Sequence, residues 1–118
     1  MIVRSVSEIV GTERDVSGDG WKSRRFLLAE DGLPVSVHET TVEAGTELHV
    51  SYEKHRETVY CVEGEGSLEN MSTGERFTLA PGTLYSVNIG DDHVIRAESE
   101  VKFLCIFDPP LQGTETAD

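Results

Sequence analysis

Residues 55–66 read HRETVYCVEGEG, and this stretch decides the fold. Thr58-Val59-Tyr60-Cys61-Val62 is β-branched, aromatic and small apolar in composition, as a strand requires. Alternation puts Glu57, Val59 and Cys61 on one face, and Tyr60 and Val62 on the other. Glu63–Glu65 then turns, and Gly64 and Gly66 bracket Glu65. A carboxylate sharing a face with two apolar groups either lies at a barrel mouth or is costly to bury unpaired. A metal ion would resolve that cost.

Segments of the same kind occur along the whole chain. The sequence predicts strands at Arg24–Leu28, Val35–Val42, Glu47–Tyr52, Thr58–Val62, Gly66–Glu69, Glu75–Leu79, Leu84–Asn88, His93–Ala97 and Val101–Phe107. Turns fall at Glu30–Pro34, Ala44–Thr46, Glu63–Glu65, Ser72–Gly74, Ala80–Gly82 and Gly90–Asp92. Short strands at this spacing indicate a β-sandwich or barrel. Ser7–Val10 suits a helical turn and nothing else reads as helix. The tail from Pro109 is irregular, and its last residues, GTETAD, are expected to be mobile. The 118 residues suit one domain, 1–118.

Ten basic and 22 acidic residues give a net charge of −12. That excess argues against binding nucleic acid or anionic membrane, since both need positive surface. It also repels a free anionic substrate unless local Arg or Lys offsets the field. Self-repulsion that keeps the protein dispersed and adaptation to high salt both account for the charge. No run approaches the ~20 apolar residues that span a bilayer. MIVRSVSEIV lacks the apolar core of a signal peptide. Cys61 and Cys105 both lie in apolar, strand-like runs, which reads as two buried thiols in a reducing cytoplasm.

The order Gly45, Ser51, Glu53, Glu57, Gly64 resembles the first metal motif of the cupins, small all-β, jelly-roll-like barrels. Ser51 and Glu53 stand where that motif has histidines. The second cupin motif ends in His, but Pro81-Gly82-Thr-Leu-Tyr85 is one residue tighter and carries Tyr, and His93 follows eight residues later. The candidate metal donors are therefore Glu57, Tyr85 and His93, on neighbouring strands that can point into one lumen. This mixed oxygen and nitrogen set suits Fe²⁺, Zn²⁺ or Mn²⁺ and leaves positions open for water or substrate. The alternative is a metal-free barrel with Glu57 at its mouth, Tyr85 in its core and His93 on a loop.

TTVEAGTELHVSYEKHRETVYCVEGEG, LAPGTLYSVNIGDDH and FLCIFDPPLQG, with GTERDV and GWKSRRFLLAEDG before them, strongly resemble the ectoine synthases. The resemblance implies a dimeric cupin that closes N-γ-acetyl-L-2,4-diaminobutyrate into ectoine with loss of water. Ectoine is a compatible solute made against osmotic stress. The resemblance also implies an iron site of Glu57, Tyr85 and His93, and substrate contacts from Trp21, Arg25, Thr40, Tyr52, Cys105, Phe107 and Glu115. Tyr52, Glu115 and Tyr85 become the candidates for proton transfer. Arg25 suits a substrate carboxylate, and Trp21 and Phe107 suit a wall against water. The rival readings are a related cupin acting on another amino-acid amide, a cupin that only binds a small metabolite, and an oxygenase. The missing histidine pair argues against the last.

Four departures from the family pattern stand out. Ser51 replaces a common His, and His38-Glu39 matches its segment only loosely. Arg56 precedes Glu57, where a small or apolar residue is expected. Ala117 holds a His position and the sequence stops at Asp118, which suggests either a shortened tail or a divergent member with an open site.

Overall fold

Alternation builds the molecule. The computed structural model describes residues 1–115. It runs α1 (Val6–Ile9), β1 (Asp15–Gly18), β2 (Trp21–Leu27), a 3-10 turn (Ala29–Asp31), β3 (Ser36–Val42), β4 (Glu47–Val50), β5 (Arg56–Glu63), β6 (Gly66–Asn70), β7 (Arg76–Leu79), β8 (Leu84–Val87), β9 (His93–Ala97) and β10 (Val101–Asp108). These strands form two antiparallel sheets, ordered β1-β2-β3-β10-β5-β8 and β4-β9-β6-β7.

In β10 the alternating Val101, Phe103, Cys105 and Phe107 are buried, and Leu104 and the terminal Asp108 are exposed. In β5, Glu57, Val59 and Cys61 turn inward as their spacing requires. The two inner faces meet in one apolar cluster that includes Phe103, Phe107, Leu68, Leu79 and Ile95. Each such aromatic contributes roughly 1.5–3 kcal/mol by leaving water.

Every expected strand is present, with shifted edges. β2 begins at Trp21, three residues before the expected Arg24, and pairs with β1, which the sequence reading missed. β4 stops at Val50, so Tyr52 lies in the following loop, where its carbonyl accepts the Gly90 N–H at 2.8 Å. Ala29–Asp31 is helical rather than a plain turn. The segment after Pro109 is irregular, but it is fastened. The Ser36 hydroxyl accepts the Leu111 N–H at 3.0 Å, and the Leu111 carbonyl accepts the Ala29 N–H at 2.9 Å. Both cysteines are free and buried. Ala117 and Asp118 lie outside the described residues.

Candidate active site

Five strands of the large sheet, β2, β3, β5, β8 and β10, deliver polar groups to its buried face. In β2 the alternation Trp21, Ser23, Arg25 points inward, and all three are buried. Arg25 is opposite His38 on β3, and Ser23 is opposite Thr40. Cys105 of β10 lies between His38 and Val59 in the register, and Phe107 pairs with Glu57. Tyr85 of β8 is opposite Val59, which sets it diagonally beside Glu57 on the same face.

These side chains enclose a cavity of about 50 Å³ whose wall includes Trp21, Arg25, Thr40, Tyr52, Glu57, Tyr85, Cys105, Phe107 and Glu115. A single water needs roughly 10–15 Å³, so the space holds a few water-sized groups. Most of its lining is apolar. Phe107 is flanked by His38 at 5.1 Å, Tyr52 at 5.1 Å and His55 at 6.2 Å between ring centroids.

His93 is placed differently. It opens β9 in the small sheet, opposite Val50 and Asn70, and lines an adjoining cleft of about 660 Å³. Tyr85 borders both spaces, and its ring centroid lies 6.2 Å from that of His93. Among the described residues no three His, Cys, Asp or Glu side chains form a metal-binding group, so a site here needs the Tyr85 phenol.

The donor chemistry fits a metal. The His93 Nδ1–H donates to the Asp91 carbonyl at 2.8 Å, which leaves a lone pair on Nε2. That Nε2 is buried without a hydrogen-bond partner. Burial pushes the Glu57 carboxyl up to about 8, with a thiol contact from Cys105 pulling the other way. Burial, reinforced by Glu57, raises the Tyr85 phenol well above its ordinary range. An orphaned imidazole nitrogen, a carboxyl denied water and a buried phenol are each donors that suit a dication, and Tyr85 borders both the cavity lined by Glu57 and the cleft lined by His93.

Arg25 sits in a run, KSRR, that reads as surface, yet it is 3% exposed. Its Nε–H donates to Ser23 Oγ at 3.3 Å and its Nη1 to the Gly113 carbonyl at 2.7 Å. Its Nη2 donates to the Glu115 carbonyl. The Glu115 carboxylate accepts the N–H groups of Gln112 and Gly113, each at 2.8 Å. Partial burial works to raise that carboxyl, and those N–H donors together with Arg25 outweigh it and keep it ionised. Gly113 and Glu115, expected to be mobile, are therefore tied across the cavity. Burial, supplemented by the Glu57 charge, holds Tyr52 as a neutral phenol. The Cys105 thiol donates to Thr40 Oγ1 at 3.5 Å.

Two groups beside the cavity were not among the expected site residues. His38 shares the inward face of Thr40, two residues away, and alternation alone could have found it. His55 donates from Nδ1 to the Pro109 carbonyl at 2.7 Å and lies 4.0 Å from Glu115. No spacing rule predicted that contact.

The model of the family described as ectoine synthase matches residues 1–118. The chain is 48% identical to the L-ectoine synthase of Mycobacteroides abscessus, covering all of this chain and 91% of that protein. It is 47% identical to the L-ectoine synthase of Oceanobacillus iheyensis, covering all of this chain and 92% of that protein. The crystal structure of ectoine synthase from P. lautus superposes with a TM-score of 0.93 at 43% identity, over 98% of this chain and 83% of that one. An RmlC-like cupin from Shewanella frigidimarina shares the fold, with a TM-score of 0.70 at 22% identity over 84% of this chain and 85% of that one. The fold is that of a cupin, and the chain belongs to the ectoine synthase family.

Proposed function

We propose that this protein is an ectoine-forming hydro-lyase that closes N-γ-acetyl-L-2,4-diaminobutyrate into ectoine and releases water. The observation that carries the reading is the cavity itself, where a guanidinium, two neutral phenols and a buried carboxyl face one small, mostly apolar space. Family membership over the whole chain supports the choice of substrate.

The substrate's free amine attacks the acetamide carbonyl carbon. One C–N bond forms, the amine gives up its protons, and the carbonyl oxygen departs as water to leave a cyclic amidine. Holding amine and carbonyl together supplies proximity, worth up to ~7–11 kcal/mol in the best cases. Arg25 has five N–H donors and engages three of them internally, so two remain for the substrate carboxylate. Phe107 and Trp21 pack its methylene chain and exclude water, which favours dehydration.

The proton-transfer roles follow from the charge states. Glu115, held ionised, accepts a proton from the attacking amine. Tyr52, held protonated, donates toward the departing oxygen. Glu57, Tyr85 and His93 would hold the metal, with Fe²⁺ as the expected ion. Such an ion supplies Lewis-acid polarisation of the amide oxygen. Thr40 and Cys105 line the wall and fix the orientation of the acetyl end.

The same reading includes a homodimer in the cytoplasm that makes a solute against osmotic stress. The charge of −12 keeps copies of the protein apart by self-repulsion. No helix of the described residues is long and apolar enough to cross a membrane. Proton NMR of the acetylated substrate mixed with protein supplied with Fe²⁺, Zn²⁺ or Mn²⁺ in turn tests the activity. Ectoine resonances are expected, and substrate unchanged under all three metals refutes the reading.

A further inference from the structure

His38 is 1% exposed, and its Nε2 is buried without a partner on the cavity side of the large sheet. The neighbouring hydrogen bonds decide what that nitrogen carries. Ser23 Oγ accepts the Arg25 Nε–H at 3.3 Å and lies 3.4 Å from His38 Nδ1. Arg25 has only donors to offer, so the Ser23 hydroxyl hydrogen has no acceptor there. Among the described residues, His38 Nδ1 is the acceptor within reach of that hydroxyl. The chain of bonds therefore runs from Arg25 N–H to Ser23 O–H to His38 Nδ1. A neutral imidazole that accepts at Nδ1 carries its proton at Nε2.

Burial, assisted by the nearby Arg25 charge and opposed by the Glu115 carboxylate, lowers His38 to about 3, so the ring stays neutral near pH 7. Of the two charges that act on the ring, Arg25 outweighs Glu115, and the guanidinium favours an anion against the ring's free N–H. The partner that relieves a buried, unpaired donor beside a guanidinium is a carboxylate oxygen.

We infer that His38 is a substrate-positioning residue, locked by Ser23 and Arg25 as the Nε2–H tautomer, which donates to the carboxylate of the bound amino-acid substrate. The inference rests on the proposed substrate for its second half only. The first half is a property of the free protein. His38 thereby selects for substrates that retain the carboxylate and rejects decarboxylated amides of the same length, because these leave its N–H buried and unpaired.

Long-range ¹H–¹⁵N NMR of histidine-labelled protein reads the tautomer directly. A protonated Nε2 and an unprotonated Nδ1 are expected at His38, unchanged between pH 8 and pH 5. Ser23→Ala should convert the signal to a tautomer mixture. A dominant Nδ1–H form overturns the inference. Calorimetric binding reads the contact. His38→Phe keeps the ring beside Phe107 but removes the donor, and it should weaken N-γ-acetyl-2,4-diaminobutyrate about tenfold. N-acetyl-1,3-diaminopropane, which lacks the carboxylate, should bind both proteins equally. His38→Gln, with an amide nitrogen of similar reach, should recover part of the loss. Equal affinity of His38→Phe and wild type for the acetylated substrate refutes the contact. Wild type that binds neither probe overturns the substrate reading and the contact together, with the tautomer still measured separately.

Discussion

Arg25 Nη1 donates to the Gly113 carbonyl at 2.7 Å, joining β2 to a segment 88 residues later in the chain. Arg25→Lys keeps the charge and loses the fork that holds Gly113 and Glu115 together. Amide exchange at residues 112–115 is expected to accelerate, and kcat/KM should fall by roughly tenfold or more. Unaltered exchange in that peptide contradicts the strap.

Glu57 opposes stability and serves function. A buried carboxyl raised to about 8 is poorly matched to its surroundings without a cation. In metal-stripped protein near pH 7.5, Glu57→Gln should raise Tm by roughly 4 °C or more, since an amide carries no charge to desolvate. The same variant should lose its iron and its turnover. A lowered Tm in the stripped protein shows that the carboxyl has a stabilising partner instead.

The EGEG turn depends on Gly64. Its φ is +87°, and a Cβ there would lie 2.0 Å from the Glu100 carbonyl oxygen, which is backbone and cannot move aside. Gly64→Ala should cost several times the ~1 kcal/mol of a simple positive-φ substitution. Gly82 also has positive φ, but its nearest neighbour would be the Tyr60 hydroxyl at 4.0 Å, so Gly82→Ala is expected to cost only about that 1 kcal/mol. Urea midpoints of the two variants compare them directly, and similar midpoints rule out the clash.

Asp31 ties the N-terminal arm to β2. Its carboxylate pairs with Arg4 at 2.9 Å and Arg14 at 3.0 Å, and it accepts the Leu28 N–H at 2.9 Å. Arg4 foremost, then Arg14 and Leu28, hold it well below its ordinary 3.8. A lowered folded-state value means the stabilisation is complete above 3.8 and fades as pH falls below it. Asp31→Asn should therefore cost about 1–3 kcal/mol at pH 7. The gap from wild type should narrow below pH 4. A gap that stays constant down to pH 2 excludes the ion pairs as its source.

The strands with clean alternation were readable because one buried face imposes a period of two. Glu57, Val59 and Cys61 turned inward together, as HRETVYCVEGEG implies. β1 was not readable, because Asp15-Val-Ser-Gly18 has one apolar residue and becomes a strand through its pairing with β2. Arg25 looked exposed in KSRR, although its spacing from Trp21 and Ser23 already placed it inside. His93 could be placed on a strand but not in a sheet. Its position opposite Val50 and Asn70 depends on sheet order, which no local pattern encodes. The ties from Arg25 and Ser36 to residues 111–115 were hidden for the same reason.

Glu57, Tyr85 and His93 form the proposed ligand set for the metal that the cyclisation needs. Its most direct test is an anaerobic Fe²⁺ titration of chelator-stripped protein with N-γ-acetyl-L-2,4-diaminobutyrate present and ectoine followed by NMR. Wild type should gain activity linearly and level off at one iron per chain, with Glu57→Ala, Tyr85→Phe and His93→Ala each failing to rise over the same range. Ectoine formed at full rate before any iron is added, or an unchanged titration in His93→Ala, contradicts the claim.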